Sequence, residues 1–457
     1  MPTLEEFDAI VIGAGQAGPS LAGRLTAAGM KIACIERHKF GGTCVNTGCT
    51  PTKTLVASAD VAYKAHHAAE FGVLVDGIKI DWTAVRRRKD AIVGASRTGV
   101  EGWLRGMPGC TVIQGHARFE SPHTLRVGDR WLSSRQIFIN VGGRAQIPDF
   151  RGLERVSYLT NSTLLDLETV PRHLVIVGGG YIGLEFAQMF RRFGSEVTLV
   201  EKGERLLSRE DEDISAEMQS IIEAEGVHVR TDAECIALAA HGEGVEVLVD
   251  CEAGDRSVLG SHVLVAVGRR PNTDDLGAER AGLALDESGY LVVDDELRTS
   301  VEGIWALGDC NRRGAFTHTA YNDFEIVADN VLGGHHRSVR ERIPCYGVFI
   351  DPPLGRVGLT ERQAQQSKLE VCIAKRPMTR VNRAREKGET RGFMKVMADP
   401  KTQQILGAAI LGVGGDEAIH GILDAMAARM SYVELRKTVH IHPTVSELIP
   451  TLLADLP

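Results

Sequence analysis

Short apolar runs closed by glycine set the rhythm of this 457-residue chain. Ala9-Ile10-Val11-Ile12 is uninterrupted and four residues long, the pattern of a strand buried on both faces of a parallel sheet. Gly13-Ala14-Gly15-Gln16-Ala17-Gly18 follows, then a helical stretch to about Ala28, then Ile32-Ala33-Cys34-Ile35, which ends on Glu36. The same order returns as Leu174-Val175-Ile176-Val177, Gly178-Gly179-Gly180-Tyr181-Ile182-Gly183, a helix, Val197-Thr198-Leu199-Val200 and Glu201. In both copies the acid stands 18 residues beyond the third glycine. Residues 63–100 read as helical and polar, and Ile137-Phe138-Ile139-Asn140-Val141-Gly142-Gly143 as a strand and turn. From about 343 the pattern changes: alternation such as Gly392-Phe393-Met394-Lys395-Val396-Met397 predicts antiparallel strands, with helices after them. The chain is predicted to be α/β, with two Rossmann-like dinucleotide-binding domains and a C-terminal α+β part.

The glycine turns carry the first chemistry. Gly13, Gly15 and Gly18, like Gly178, Gly180 and Gly183, permit a tight turn and bring a pyrophosphate to a helix N-terminus. Glu36 and Glu201 can each accept hydrogen bonds from a ribose diol. One such motif is weak; two, each between strands and followed by its acid, predict two bound dinucleotides. Composition agrees: glycine is abundant at 50 residues and aromatics are only 5%, as tight strand-to-helix turns require. A net charge of −8 argues against nucleic acid or an anionic membrane as partner. No apolar run reaches the length of a membrane span, and the acidic N-terminal stretch lacks the features of a secretory signal, so a cytoplasmic location is expected. The nine cysteines are too irregularly spaced for a disulfide scaffold or a zinc site, and no metal is expected. Cys34, Cys110, Cys235, Cys251, Cys310, Cys345 and Cys372 have no near partner in the sequence and read as small core or surface residues.

Cys44 and Cys49 are different. They stand in Gly41-Gly42-Thr43-Cys44-Val45-Asn46-Thr47-Gly48-Cys49-Thr50-Pro51-Thr52-Lys53, where they can meet across a slightly opened helical turn. Lys53 adds positive charge that favours thiolate over thiol. A C-x4-C pair alone fits buried structural cysteines at least as well; its company favours a redox-active dithiol. This segment resembles the active-site segment of the class I pyridine nucleotide-disulfide oxidoreductases, which include dihydrolipoamide dehydrogenase, glutathione reductase and mercuric reductase. Thr47 and Thr50 depart from the aliphatic residues usual there.

The resemblance extends along the chain. It implies that the first glycine turn holds FAD, with Gly42, Thr43 and Lys53 beside it. Ala117, in Gln114-Gly115-His116-Ala117-Arg118-Phe119, would lie against the adenine, and Gly142 would close the domain. Asp309, ending Thr299-Ser300-Val301-Glu302-Gly303-Ile304-Trp305-Ala306-Leu307-Gly308-Asp309, would bind the ribityl chain; an aspartate capping the next helix is the alternative. The second turn would hold NAD(P)H, with Gly268 at its closing strand, Glu185 paired with Lys53, and Tyr181 either over the nicotinamide or simply packed. The implied domains are FAD-binding at 1–150 and 282–342, NAD(P)-binding at 151–281, and dimerisation at 343–457.

Near the C-terminus, His442-Pro443-Thr444-Val445-Ser446-Glu447 resembles the acid/base pair of the family, which acts on the disulfide of the partner subunit. A homodimer with shared active sites is therefore implied. Thr444 and Glu447 also match a helix capping box. The expected function is transfer of electrons from NAD(P)H through FAD to the Cys44–Cys49 disulfide and on to a small disulfide. Two alternatives stay open: a metal-ion reductase of the mercuric reductase type, against which stands the absence of an adjacent C-terminal cysteine pair, and a flavoprotein subunit of a keto-acid dehydrogenase complex. Glu201 would repel a 2′-phosphate, so NADH is expected over NADPH, although Lys202 and Arg205 stand close by.

Overall fold

The first apolar run is the central strand of a five-stranded parallel sheet. A computed structural model describes residues 3–233, 236–249 and 256–457; Cys235 and Cys251 lie outside the described residues. In that sheet Ala9–Ile12 has Ile32–Glu36 on one side, followed by Cys110–Gln114, and Ile137–Ile139 on the other, followed by Ile304–Ala306. All four residues of Ala9–Ile12 are buried, as a strand covered on both faces must be. The strand Ile304–Ala306 reaches this sheet from beyond the second glycine unit, which places Asp309 at its C-terminal edge.

The second unit is built the same way. Leu174 to Val177 align with Val197 to Val200 on one side and with His262 to Val265 on the other, all parallel, and Val227–Arg230 lies outside. A three-stranded antiparallel sheet, Ala237–His241, Gly244–Leu248 and Ser257–Gly260, packs beside it. Two short antiparallel strands, Gly143–Ala145 and Arg269–Pro271, tie the crossovers of the units together. The C-terminal part is a five-stranded antiparallel sheet covered by Gly415–Ala427, with Leu448–Leu453 as its last helix.

Three expectations need correction. Residues 63–100 are not one helix: Cys49–His66 ends at His67, a short 3₁₀ turn and loop follow, and Trp82–Arg105 begins where the Asp81 carboxylate accepts a hydrogen bond from the Ala84 N–H, 3.0 Å. The cysteines do not sit on one opened turn. The backbone breaks at Gly48, between Gly42–Thr47 and Cys49–His66, and a Cβ there would stand 2.9 Å from the Thr43 carbonyl oxygen. A four-stranded sheet of Leu4–Glu6, Ala117–Ser121, Thr124–Val127 and Arg130–Ser133 was not foreseen.

A buried ionic cluster joins the second unit to the C-terminal sheet. Arg356, 2% exposed, donates to Glu210 at 2.5 Å and Asp211 at 2.6 Å. Asp211, Asp213 and Glu361 converge closely enough to suggest a cation site. The Lys395 ammonium already bridges them, at 2.9, 2.7 and 2.5 Å. Removing one partner of such a set would leave a buried charge uncompensated. No described helix is long and apolar enough to cross a membrane.

Candidate active site

Both glycine turns do the same two things. At each, the third glycine of the motif lies against the first: a Cβ on Gly18 would stand 2.1 Å from the Gly13 carbonyl oxygen, and one on Gly183 would stand 2.1 Å from that of Gly178. Any side chain there would push the helix off its strand. At each, the acid is fixed by backbone N–H groups. Glu36 accepts from Ala14 at 2.9 Å and His38 at 2.8 Å; Glu201 accepts from Gly179 at 2.5 Å and Gly203 at 2.8 Å. The carboxylates are thus held at the strand ends, beside the N-termini of Ala17–Ala27 and Tyr181–Arg192.

A cavity of about 1250 Å³ runs from the first turn to the cysteines. Gly13, Gly15 and Glu36 line one end, with Ala117 and Gly142; Gly42, Thr43, Cys44, Cys49, Lys53, Tyr181, Glu185 and Asp309 line the rest. A second cavity of about 2150 Å³ is lined by Gly178, Gly180, Glu201 and Gly268, and shares Tyr181 and Asp309 with the first. The donor set fits two dinucleotides. Glycine backbone and a helix N-terminus suit a pyrophosphate, and each fixed carboxylate suits a ribose diol. A Cβ on Gly180 would meet no protein atom within 4 Å, so its missing side chain leaves open space in the second cavity. Gly18 and Gly183 lie behind the cavity walls as packing contacts.

The Cys44 and Cys49 thiols are free in this structure and within hydrogen-bond reach of each other. The Cys49 thiol is lowered to about 6, first by its hydrogen bond with Cys44, and then by the Thr317 hydroxyl and the Lys53 charge, against the opposing effect of burial. Cys44 is pushed up, chiefly by the same contact and by burial. Cys49 is therefore the sulfur that ionises. Lys53 Nζ lies 2.6 Å from Glu185, which is only 3% exposed, and 4.5 Å over the Phe349 ring. The Phe349 N–H donates to the other Glu185 oxygen at 3.0 Å. The pairing of Lys53 with Glu185, 132 positions away, brings the two units together beside the cysteines.

Asp309 is raised, mainly by burial, with Arg269 at 3.4 Å opposing. Its turn is held by Asp323, which accepts from the Gly308 N–H at 2.8 Å and the Asn311 amide at 3.0 Å. Asp309 does not serve as a side-chain cap of Thr317–Gly333; Thr319 holds that helix start. Tyr181 packs at 5.8 Å on Phe316 and lines both cavities.

His442 and Glu447 line neither cavity. They meet each other instead, Nδ1 to Oε2 at 2.7 Å, with the imidazole 69% exposed. The capping box does not form: the last helix starts at Leu448 with Glu447 at its N-cap, and although Thr444 accepts from the Glu447 N–H at 3.2 Å, the Glu447 carboxylate goes to His442. Val439 and Ile441, 99% and 80% exposed, flank the histidine. Thr317, whose hydroxyl is 3.2 Å from the Cys49 sulfur, and Asn140, whose amide donates to the Gly13 carbonyl at 3.1 Å, carry no sequence motif of their own.

Comparison with known proteins fits this geometry. The family model described as pyridine nucleotide-disulphide oxidoreductase matches residues 7–323, and the dimerisation-domain model of the same family matches 345–453. A probable pyridine nucleotide-disulfide oxidoreductase, RclA of Escherichia coli, is 37% identical over 99% of both chains. A mercuric reductase of Streptomyces lividans is 34% identical over 97% of this chain and 94% of its own. Among solved structures, the Cu(II) complex of the HOCl-induced flavoprotein disulfide reductase RclA from Escherichia coli superposes with a TM-score of 0.90 at 36% identity, over 98% of this chain and 99% of that one.

Proposed function

The chain belongs to the pyridine nucleotide-disulphide oxidoreductase family, and from that premise we propose that it passes electrons from NADH through FAD to the Cys44/Cys49 pair and on to a small disulfide. One observation carries the reading: the two thiols lie in contact at one end of the cavity whose other end presents the first glycine turn and Glu36.

Gly13, Gly15, Glu36, Ala117 and Asp309 would hold FAD, which when bound takes a hydride from the reduced nicotinamide and returns the electron pair to the disulfide. The chain's own residues do the rest. Cys44 attacks a substrate disulfide, forming a mixed disulfide and releasing one thiolate; Cys49 then attacks Cys44, and the second thiolate leaves. His442 of the partner subunit, whose tautomer Glu447 fixes, takes the Cys44 proton as that sulfur attacks and gives it to the first departing thiolate; recharged with a proton from solvent, it protonates the second. The dimerisation-domain match supports the homodimer that this requires. The exposed Val439 and Ile441 beside His442 offer it apolar surface to cover.

A metal-ion acceptor is the second reading. It is favoured by the relatives, a mercuric reductase and an RclA structure described as a Cu(II) complex, and by the affinity of paired thiolates for soft ions. The test reduces the enzyme anaerobically and offers it lipoyl, glutathione and other disulfides, then Cu(II) and Hg(II). Rapid reoxidation by a disulfide is expected. Reoxidation by metal ions alone overturns the disulfide reading, and reoxidation by neither overturns both.

The nucleotide preference rests on Glu201. Its carboxylate is fixed at the strand end, and Arg205, which could have met a 2′-phosphate, is paired with Glu212 at 3.0 Å. Like charges 4 Å apart cost about 1 kcal/mol in water and about 4 near a protein surface, so with Lys202 in the cavity wall moderating the repulsion a preference for NADH toward the lower end of that range, roughly tenfold, is expected. The ratio of kcat/KM for NADH and NADPH should fall toward unity in Glu201→Ala. A wild type that prefers NADPH, with the ratio unchanged in Glu201→Ala, shows that Glu201 does not read the ribose.

A further inference from the structure

We propose that Thr317 is a positioning residue that donates its hydroxyl to Cys49 and so steadies the thiolate on that sulfur; the inference rests on the role proposed above for the pair. Thr317 Oγ1 lies 3.2 Å from Cys49 Sγ, across 268 positions of sequence. Thr317 opens the 17-residue helix Thr317–Gly333, and a threonine there ordinarily serves the helix start. Here Thr319 does that work: its hydroxyl accepts from the Phe316 N–H at 3.1 Å and donates to the Phe316 carbonyl at 2.8 Å. The Thr317 hydroxyl is left for the sulfur.

The residues on either side hold it there. Phe316 lies parallel to Tyr346, with ring centroids 5.7 Å apart and 5° between planes, and stacks on His318 at 5.3 Å. His318 is tied in turn to the Cys345 carbonyl at 2.8 Å. A thiolate can only accept a hydrogen bond, so once Cys49 ionises the hydroxyl must donate. Lys53 also favours the Cys49 thiolate through its charge, while its ammonium is engaged by Glu185 and the Phe349 ring. Tyr181 and Asp309 come from the facing elements, and neither supplies positive charge. Thr317 reaches both sulfurs and favours ionisation of each, but its 3.2 Å hydrogen bond is to Cys49, the sulfur held low.

The test uses the holoenzyme in a Cys44→Ser background, where the lone Cys49 thiolate against oxidised FAD gives a long-wavelength absorption band whose pH titration reads Cys49 directly. Adding Thr317→Val, which keeps the shape and removes the hydroxyl, is expected to raise the midpoint by about one pH unit, so that tenfold less thiolate remains on the acid limb. Thr317→Ser should restore it. An unmoved midpoint in Thr317→Val overturns the proposal, as does a Thr317→Ser shift as large as that of Thr317→Val, since the methyl group would then be what matters. Absence of the band in Cys44→Ser alone, at any pH, instead overturns the underlying assignment of Cys49. Should the double variant lose FAD, the rate of Cys49 alkylation in reduced Thr317→Val, located by peptide mapping and followed against pH, is judged by the same shift.

Discussion

Cys44→Ser and Cys49→Ser should each lower disulfide turnover by roughly 10⁴-fold or more, the scale on which loss of an obligatory nucleophile acts, and the two should differ in colour. Two-electron reduction of the wild type is expected to produce a long-wavelength thiolate-to-flavin band. Cys49→Ser should lack it, and Cys44→Ser should show it without reductant, because Cys49 is the sulfur whose ionisation the site favours. In the reduced wild type, Cys49 is held near 6, below the usual thiol range, so the thiolate is present above that pH and is lost as pH falls through it. A reduced wild type and a Cys44→Ser variant that both lack the band would remove the dithiol from the mechanism. A band in Cys49→Ser would exchange the roles of the two sulfurs.

Much of this site was legible because its signals are local. Four-residue apolar runs, glycines at fixed offsets and a terminal acid write out a strand, turn, helix and strand within about thirty residues, and in both copies the N–H of the residue after the first glycine donates to the acid. What was not legible is carried by contacts between distant segments. Thr317 stands 268 positions from Cys49, and nothing in its neighbours' spacing announces that contact; Asp323, although only 15 positions from the Gly308 turn it holds, belongs to no motif either. The break between His66 and Trp82 has its own local marks: Gly72, Gly77 and the apolar Val73-Leu74-Val75 interrupt the polar helical pattern, and Asp81 caps the restart. Glu447 shows a local rule overridden: its backbone N–H still goes to Thr444, while the carboxylate is drawn off to His442 and the helix starts only at Leu448.

That diversion of Glu447 yields the second large effect. His442→Ala is expected to leave reduction of the flavin by NADH nearly unchanged and to lower disulfide turnover by roughly 10²–10⁴-fold, the range for a positioned acid/base. Glu447→Gln should have a smaller effect in the same direction, since it keeps a hydrogen-bond acceptor but removes the charge that steadies the imidazolium. His442 lines neither cavity of its own chain; the proposed shared site gives it a target in the second subunit, and symmetry supplies a decisive measurement. Cys44→Ser and His442→Ala subunits are each inactive alone. In a mixed dimer one site pairs both defects, while the other pairs an intact Cys44 with an intact His442 from across the interface. Random mixing of equal amounts makes about half the dimers mixed, each with one working site, so roughly a quarter of wild-type turnover should return. If His442 served its own chain, each subunit of the mixed dimer would carry one lesion and no activity would return. Failure of turnover to return in verified mixed dimers would therefore refute the shared site, even if His442→Ala alone behaved as expected.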